Sequence, residues 1–449
     1  MAARREPRAR EIRARRDDGA CRAHVTEEQN RHPGGTAAQM PPAFHSELPA
    51  PGHGPQVTAA SALLPLWNRA AEWTRRLSMV REARSFLYLS TYYVEHDSYG
   101  TELLSELTVA QRRGVAVHLL IDGFGQRLGG VLMSREQRTA LAAILEDLRE
   151  SGAVVTTYRP RGYAQRWLGG GQHVKIQVSE AGEAIFGSSN LSRSSFEGWN
   201  EYSVAVRGPV VATLLRSYRD IGGVVEESHL RELTDVVTAV SQATVDSRDL
   251  PAEIMLEYWL CNPNAHQGVA GPLGWRGRNV VTDRLVGRIG SARRSIRITS
   301  FYFKPVEPLL EALIDAARRG VRIEVYHSHR DALPATDLAW IASAANYDRL
   351  LEVGMYLYEN RRGEHSKIVL VDDEWAAFGS YNFEHAAHDR LAEAMLVTTD
   401  ARATRPAAAI FDGLRQHPDN VLVTPEVLGS LPARLKVRRR LLGRFKRWM

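Results

Sequence analysis

The order of apolar and polar positions divides the chain into two stretches that read alike. Ala83 to Val94, ARSFLYLSTYYV, and Arg293 to Phe303, RRSIRITSFYF, are short runs rich in aliphatic, β-branched and aromatic residues, as buried strands require. A helical pattern follows each, TELLSELTVAQRRG after the first and EPLLEALIDAARRG after the second. Both patterns close on Arg-Arg-Gly, which sets cations at the negative end of the helix dipole and a glycine where the helix must stop. Both then enter another apolar run, VAVHLLID and VRIEVYH. Further helices are predicted around Arg135 to Ser151 and Leu338 to Val353, then strands at AVVTTYR and GMYLYEN. Strand, helix, strand, helix, strand is an α/β order. Its repetition predicts two similar halves, each a mixed, mostly parallel sheet flanked by helices.

The halves fall at residues 57–230 and 231–430, the second including a less periodic connection near Glu226 to Gln267. Residues 1–56 read differently. MAARREPRAREIRARRDD is Arg-rich but lacks the apolar core of a secretory signal, and Pro33, Pro41, Pro42, Pro49, Pro51 and Pro55 mark a linker. Disorder is the expectation there.

Composition narrows the class. Of 449 residues, 44% are hydrophobic and 24% charged, the balance of a globular protein, and no apolar run reaches the length of a spanning helix. Cys21 and Cys261 give neither a disulfide framework nor a zinc spacing, so a reducing, cytoplasmic setting is expected. The net charge is +6, yet Arg434 to Met449 alone carries +8, which leaves about −2 for the rest. That distribution argues against nucleic acid as a partner.

The chemistry lies after the third strand of each half. His173 to Asn190 reads HVKIQVSEAGEAIFGSSN, and His365 to Asn382 reads HSKIVLVDDEWAAFGSYN. Both fit His-x-Lys, four residues, a carboxylate (Glu180 or Asp372), six residues, then Gly-Ser-x-Asn. Alternation along a strand sends His173 and Lys175 to one face, and likewise His365 and Lys367. A further carboxylate repeats: Glu201 lies 28 residues after His173, and Glu393 lies 28 after His365.

These paired motifs resemble those of the phospholipase D superfamily, and the second, running on as Gly-Ser-Tyr-Asn-Phe, is similar to bacterial cardiolipin synthases. The resemblance spans both halves and implies one active site at their pseudo-twofold interface. It implies phosphatidyl or phosphodiester transfer on phospholipid through a phosphohistidine, with cardiolipin synthesis foremost. A hydrolytic phospholipase D, a superfamily nuclease and an inactive lipid-binding module are the alternatives. One imidazole attacks phosphorus while the other protonates the leaving oxygen and later activates the acceptor. Lys175 and Lys367, with Ser188, Asn190, Ser380 and Asn382 as donors, are expected to hold the phosphoryl oxygens. With the lysines supplying charge, neither metal nor cofactor is required. Glu201 and Glu393 are expected to fix the imidazoles by their other nitrogens. The first motif departs from the family in carrying Glu180 where the pattern has Asp; a structural role for this carboxylate would absorb the extra methylene.

Two other segments bear on partners. GYAQRWLGGGQ, Gly162 to Gln172, has no counterpart of equal length in the second half, and Trp167 with Leu168 is a candidate lipid contact beside the site. In residues 431–449, Val437, Leu441, Phe445 and Trp448 recur at helical spacing among cations, which fits an anionic membrane surface. A peripheral protein on the inner face of the cell membrane is therefore expected; oligomeric state is not legible.

Overall fold

Two mixed sheets stand where the repeat places them. The structure is a computed structural model describing residues 55–246, 252–265, 279–333 and 338–442, all within one unit, Leu48–Met449. The expected disorder of the N-terminal extension falls on residues outside those described, save for its last two. In chain order the strands are β1 (Gln56–Ala60), β2 (Ala62–Leu66), β3 (Phe86–Thr91), β4 (Ala116–Asp122), β5 (Val154–Tyr158), β6 (Gly171–Gln172), β7 (Lys175–Ser179), β8 (Glu183–Gly187) and β9 (Ser203–Arg207). They continue as β10 (Ile254–Cys261), β11 (Ser295–Ser300), β12 (Arg322–Ser328), β13 (Tyr356–Asn360), β14 (Ile368–Val371), β15 (Trp375–Gly379), β16 (Leu391–Thr398) and β17 (Asn420–Leu422).

The first sheet runs β2-β9-β8-β7-β3-β4-β5 and the second β1-β10-β16-β15-β14-β11-β12-β13-β17, with β6 joined to β16. Parallel pairing within each half is confined to β3-β4-β5 and β11-β12-β13. The expectation of mostly parallel sheets is thus corrected. Parallel neighbours need a long crossover, and only the helix-bearing connections supply one. After β7 and β14 the chain turns back within three residues, which leaves only an antiparallel hairpin. Gly182 makes the first turn with φ +70°, and Asp372 and Asp373 make the second with φ of 56° and 62°.

The helix signals hold at the level of single caps. Asp97 accepts from the amides of Tyr99 and Gly100 at 2.9 Å and opens the helix Ser98–Arg112, which ends before Gly114 at φ +96°. Its repeat, Glu307–Arg318, ends before Gly320 at φ +88°. Ser134 and Gln137 form a reciprocal capping box on Arg135–Glu150. The predicted helix Leu338 to Val353 is instead two, Leu338–Ala344 and Tyr347–Glu352. Tyr347, just past the break, is fully buried and donates to Glu359 at 2.6 Å.

The halves are not separate bodies. Tyr202, just ahead of β9, and Phe186 of β8 pack on Phe378 and Tyr258 of the second sheet, with ring centroids 5.5 and 6.1 Å apart, within one shared core. Truncating such a buried aromatic to alanine costs about 3–5 kcal/mol. The backbone crosses as well: β1, from the start of the first half, pairs with β10, and β6 pairs with β16. No helix of the described residues is long and apolar enough to cross a membrane.

At the C-terminus, Ala433–Leu442 is helical. Leu435 is buried and Arg439 pairs with Asp348 at 2.9 Å, while Val437 and Leu441 are exposed. The rest of the predicted amphipathic face, Phe445 and Trp448, lies outside the described residues.

Candidate active site

Each motif histidine ends a segment bound to the opposite half. The His173 amide donates to the Ala392 carbonyl at 2.8 Å, and the His365 amide donates to the Asn200 carbonyl at 2.8 Å. Those carbonyls immediately precede Glu393 and Glu201, so the backbone bonds bring each imidazole onto the other half's carboxylate. His173 Nδ1 lies 3.0 Å from Glu393 Oε1, and His365 Nδ1 lies 2.8 Å from Glu201 Oε2. Equal spacing along the sequence therefore reports symmetry, and the contact itself is crossed between halves. With Nδ1 engaged, each Nε2 has no partner among the described residues and turns to a cavity of about 480 Å³ that both histidines line.

The strand ahead of each histidine is braced. Gln172 accepts from the Val174 amide at 3.1 Å and donates to the Thr91 carbonyl at 2.8 Å. Glu364 accepts from the Ser366 amide at 3.1 Å and from Asn200 Nδ2 at 2.9 Å. Lys175 Nζ donates to the His173 carbonyl at 2.6 Å, and Lys367 Nζ donates to the His365 carbonyl. Both ammonium groups are buried beneath the imidazoles' own backbone.

The serines are placed otherwise than expected. Ser188 Oγ donates to Glu201 at 2.5 Å, and Ser380 Oγ donates to Glu393 at 2.5 Å. Both are fully buried, and neither is among the residues that line the cavity. A buried carboxylate needs several donors, and the serine beside it is the nearest one. Asn190 and Asn382 do line the cavity. Asn190 Oδ1 is buried without a partner, whereas Asn382 Oδ1 accepts from the Phe301 amide at 3.2 Å.

Glu180 and Asp372 lie off the site. Asp372 accepts from the amides of Arg293, Arg294 and Ser295 at 3.0, 2.7 and 2.9 Å, pinning the turn to the start of β11. Burial opposes these bonds, but they hold its carboxyl below the usual range. Glu180 makes the matching bond to the Arg84 amide at 2.7 Å. The longer side chain keeps the structural contact, though its second oxygen is buried without a partner.

Electrostatically the two pairs differ. Burial alone would raise Glu201, but His365, its hydrogen bond and Lys367 outweigh it and bring the carboxyl down to about 2. Burial pushes Glu393 the other way, up to about 8, against the pull of Lys175. A geometric difference accompanies this: Glu201 also accepts from Ser195 Oγ at 2.7 Å, and the matching position in the second half is Ala387. Burial lowers His365 to about 4 despite Glu201, and lowers His173 well below its ordinary range with Lys175 and Lys367 adding to the effect. Lys367 is brought down to about 8 by burial, and burial lowers Lys175 as well.

Sequence reasoning missed the aromatic walls. Tyr92 meets the His173 ring edge-on at 4.7 Å; Phe301 does the same to His365 at 4.7 Å, and Trp199 stacks on His365 at 5.0 Å. Tyr92 and Phe301 follow β3 and β11 at repeated positions, the one signal that was available. Beyond the cavity, His388 Nδ1 lies 2.9 Å from Thr282 Oγ1.

The comparisons with known proteins agree with this geometry. The family described as "Cardiolipin synthase, PLD-like domain" matches residues 77–220 and 285–415. Cardiolipin synthase B of Escherichia coli (strain K12) is 27% identical over 340 residues, covering 72% of each chain. Cardiolipin synthase B of Salmonella typhi is 26% identical over 343 residues, also covering 72% of each. In fold, the crystal structure of phosphatidylserine synthase from Haemophilus influenzae Rd KW20 aligns over 87% of this chain and 96% of its own, with TM-score 0.62 and 16% identity. With two repeats matched over more than half its length, and the repeats' histidines meeting in one cavity, the chain belongs to the cardiolipin synthase, phospholipase D-like family.

Proposed function

We propose that this protein transfers a phosphatidyl group from a phospholipid to an alcohol acceptor through a phosphohistidine, with cardiolipin as the product. One observation carries the reading: two imidazoles, each held at Nδ1 by a glutamate of the opposite half, present Nε2 to one cavity above two buried lysines. His173 Nε2 attacks the donor phosphorus, the bond to the headgroup oxygen breaks, and His365 gives that oxygen its proton. His365 then takes the proton of the acceptor hydroxyl, whose oxygen attacks phosphorus as the P–N bond breaks. Burial keeps both imidazoles unprotonated, as a nucleophile must be, and Glu201, held ionised, raises the affinity of His365 for the proton it carries between the two oxygens. The lysines and Asn190 supply the positive potential and donors for the phosphoryl oxygens.

The test is a vesicle assay of the purified chain with phosphatidylglycerol. Cardiolipin is expected. Phosphatidic acid alone would make it a hydrolase, and plasmid cleavage without lipid turnover would sink the reading. The protein acts from the membrane surface, on its cytoplasmic face in this reading. Removing residues 443–449, with Arg444, Lys446 and Arg447, should weaken binding to anionic vesicles about tenfold at low salt. Turnover of a soluble diester should not change. Cutting further back would expose the pocket of Leu435 and strand Asp348, so the truncation stops there.

A further inference from the structure

A second cavity, of about 850 Å³, opens beside the catalytic one. The helix Gly123–Val131 contributes to both walls, since Phe124 and Val131 line each cavity. The other wall comes from the segment after β5, residues 159–172, for which the second half has only residues 361–364. Four arginines line this cavity, Arg127, Arg138, Arg159 and Arg166, and no acidic residue does. None of the four forms an ion pair with a described residue. Arg138 and Arg166 are held by backbone carbonyls, of Gly130 and Met133 and of Pro160 respectively. Arg127 lies over the Phe124 ring at 5.4 Å. Other surface arginines, among them Arg81, Arg349 and Arg402, pair with carboxylates, of Glu106, Glu311 and Asp400 respectively. Four unpaired guanidinium groups in one concave wall focus a positive potential and present forked donors that match phosphate oxygens. At the rim Leu128, Val131, Leu132, Tyr163 and Trp167 are exposed, so apolar contact is offered next to the charge.

We infer that this cavity seats the phosphate of the acceptor, an anionic phospholipid whose free headgroup hydroxyl then reaches the phosphohistidine in the adjoining cavity. The inference rests on the proposed transfer reaction and adds the place where the acceptor's phosphate is held. An acceptor that already carries a phosphodiester needs a second anion site, separate from the lysines that neutralise the reacting phosphorus. The arginine cavity supplies it, and its exposed apolar rim meets the acyl chains.

Two measurements on the full-length chain test this. The double variant Arg127→Gln/Arg159→Gln alters exposed side chains without protein ion pairs, so the fold should be unaffected. It should raise KM for phosphatidylglycerol as acceptor at least tenfold. Transfer to glycerol, which has no phosphate, and hydrolysis of a soluble diester should stay within twofold. Unchanged KM, or an equal rise for glycerol, overturns the inference. Separately, binding of dihexanoylphosphatidylglycerol to the His173→Ala protein should exceed that of dihexanoylphosphatidylcholine and fall at least tenfold when the arginine pair is also replaced. Arginine-dependent binding, with a wild-type protein that turns over no lipid, would remove the transferase reading and keep the anion site. Transfer that ignores both arginines would do the reverse.

Discussion

The two half-sites share their plan and differ in what surrounds it. Each has a histidine tied to the other half's backbone, a lysine under that histidine, and a serine-bound glutamate across the interface. In one pair Glu201 has three side-chain donors and is pulled down to about 2; in the other Glu393 has two and is pushed up to about 8. The added donor is Ser195, where the second half carries Ala387. A duplicated site can thus divide labour without changing a motif residue. Glu201 raises the proton affinity of its imidazole, while burial with Lys175 and Lys367 keeps His173 unprotonated.

The harshest way to break this comparison is to remove either imidazole. His173→Ala and His365→Ala should each lower turnover by about 10⁴-fold, because nucleophile and acid act in one step. The sharper readout is covalent: with a labelled donor whose leaving group needs no proton, such as a nitrophenyl diester, His365→Ala should accumulate label on His173. Label recovered on His365 in the His173→Ala protein would reverse the assignment.

Next come the carboxylates. Glu201→Gln should cost about 10²-fold or more and shift the limb of the kcat/KM profile that reports His365 to lower pH, since Glu201 raises that imidazole's proton affinity. Glu393→Gln should cost less. Equal losses with unshifted profiles would mean that the two glutamates only hold geometry.

Stability should separate them too. Glu393 is raised in the fold, so its contribution is full below about 4.5 and is lost as pH rises through about 8. Glu201 is lowered, so its contribution is full above about 4.5 and is lost only as pH falls towards about 2. Urea unfolding between pH 5 and 8 should therefore show the gap between wild type and Glu393→Gln narrowing as pH rises, at most by about 1 kcal/mol per pH unit. The gap to Glu201→Gln should stay flat over the same range. Parallel curves would contradict the asymmetry.

The mildest test is Ser195→Ala, expected to lower kcat about fivefold by removing one donor to Glu201. Ser195→Thr, which keeps a hydroxyl, should recover part of the loss. No change in Ser195→Ala would leave the difference between the pairs to burial alone.

Much of this was written in the sequence. The repeated apolar runs, the Arg-Arg-Gly stops and the two His-x-Lys motifs made the α/β class, the duplication and the candidate site residues legible, because these depend on local periodicity and side-chain chemistry. Even the carboxylates Glu201 and Glu393 were found by spacing alone. What spacing could not give was the partner of each. The pairing is decided by the amides of His173 and His365 bonding to Ala392 and Asn200, contacts between residues more than 160 positions apart. The bonds of Ser188 to Glu201 and of Ser380 to Glu393 were illegible for the same reason, since only the folded site shows which buried acceptor lies nearest. The arginine cavity is likewise tertiary: Arg127, Arg138, Arg159 and Arg166 are unremarked cations in the sequence, and become one surface only when the helix Gly123–Val131 packs beside the first half's longer loop. Local patterns set elements and chemistry; long-range packing and shared burial set which groups face each other and how each is charged.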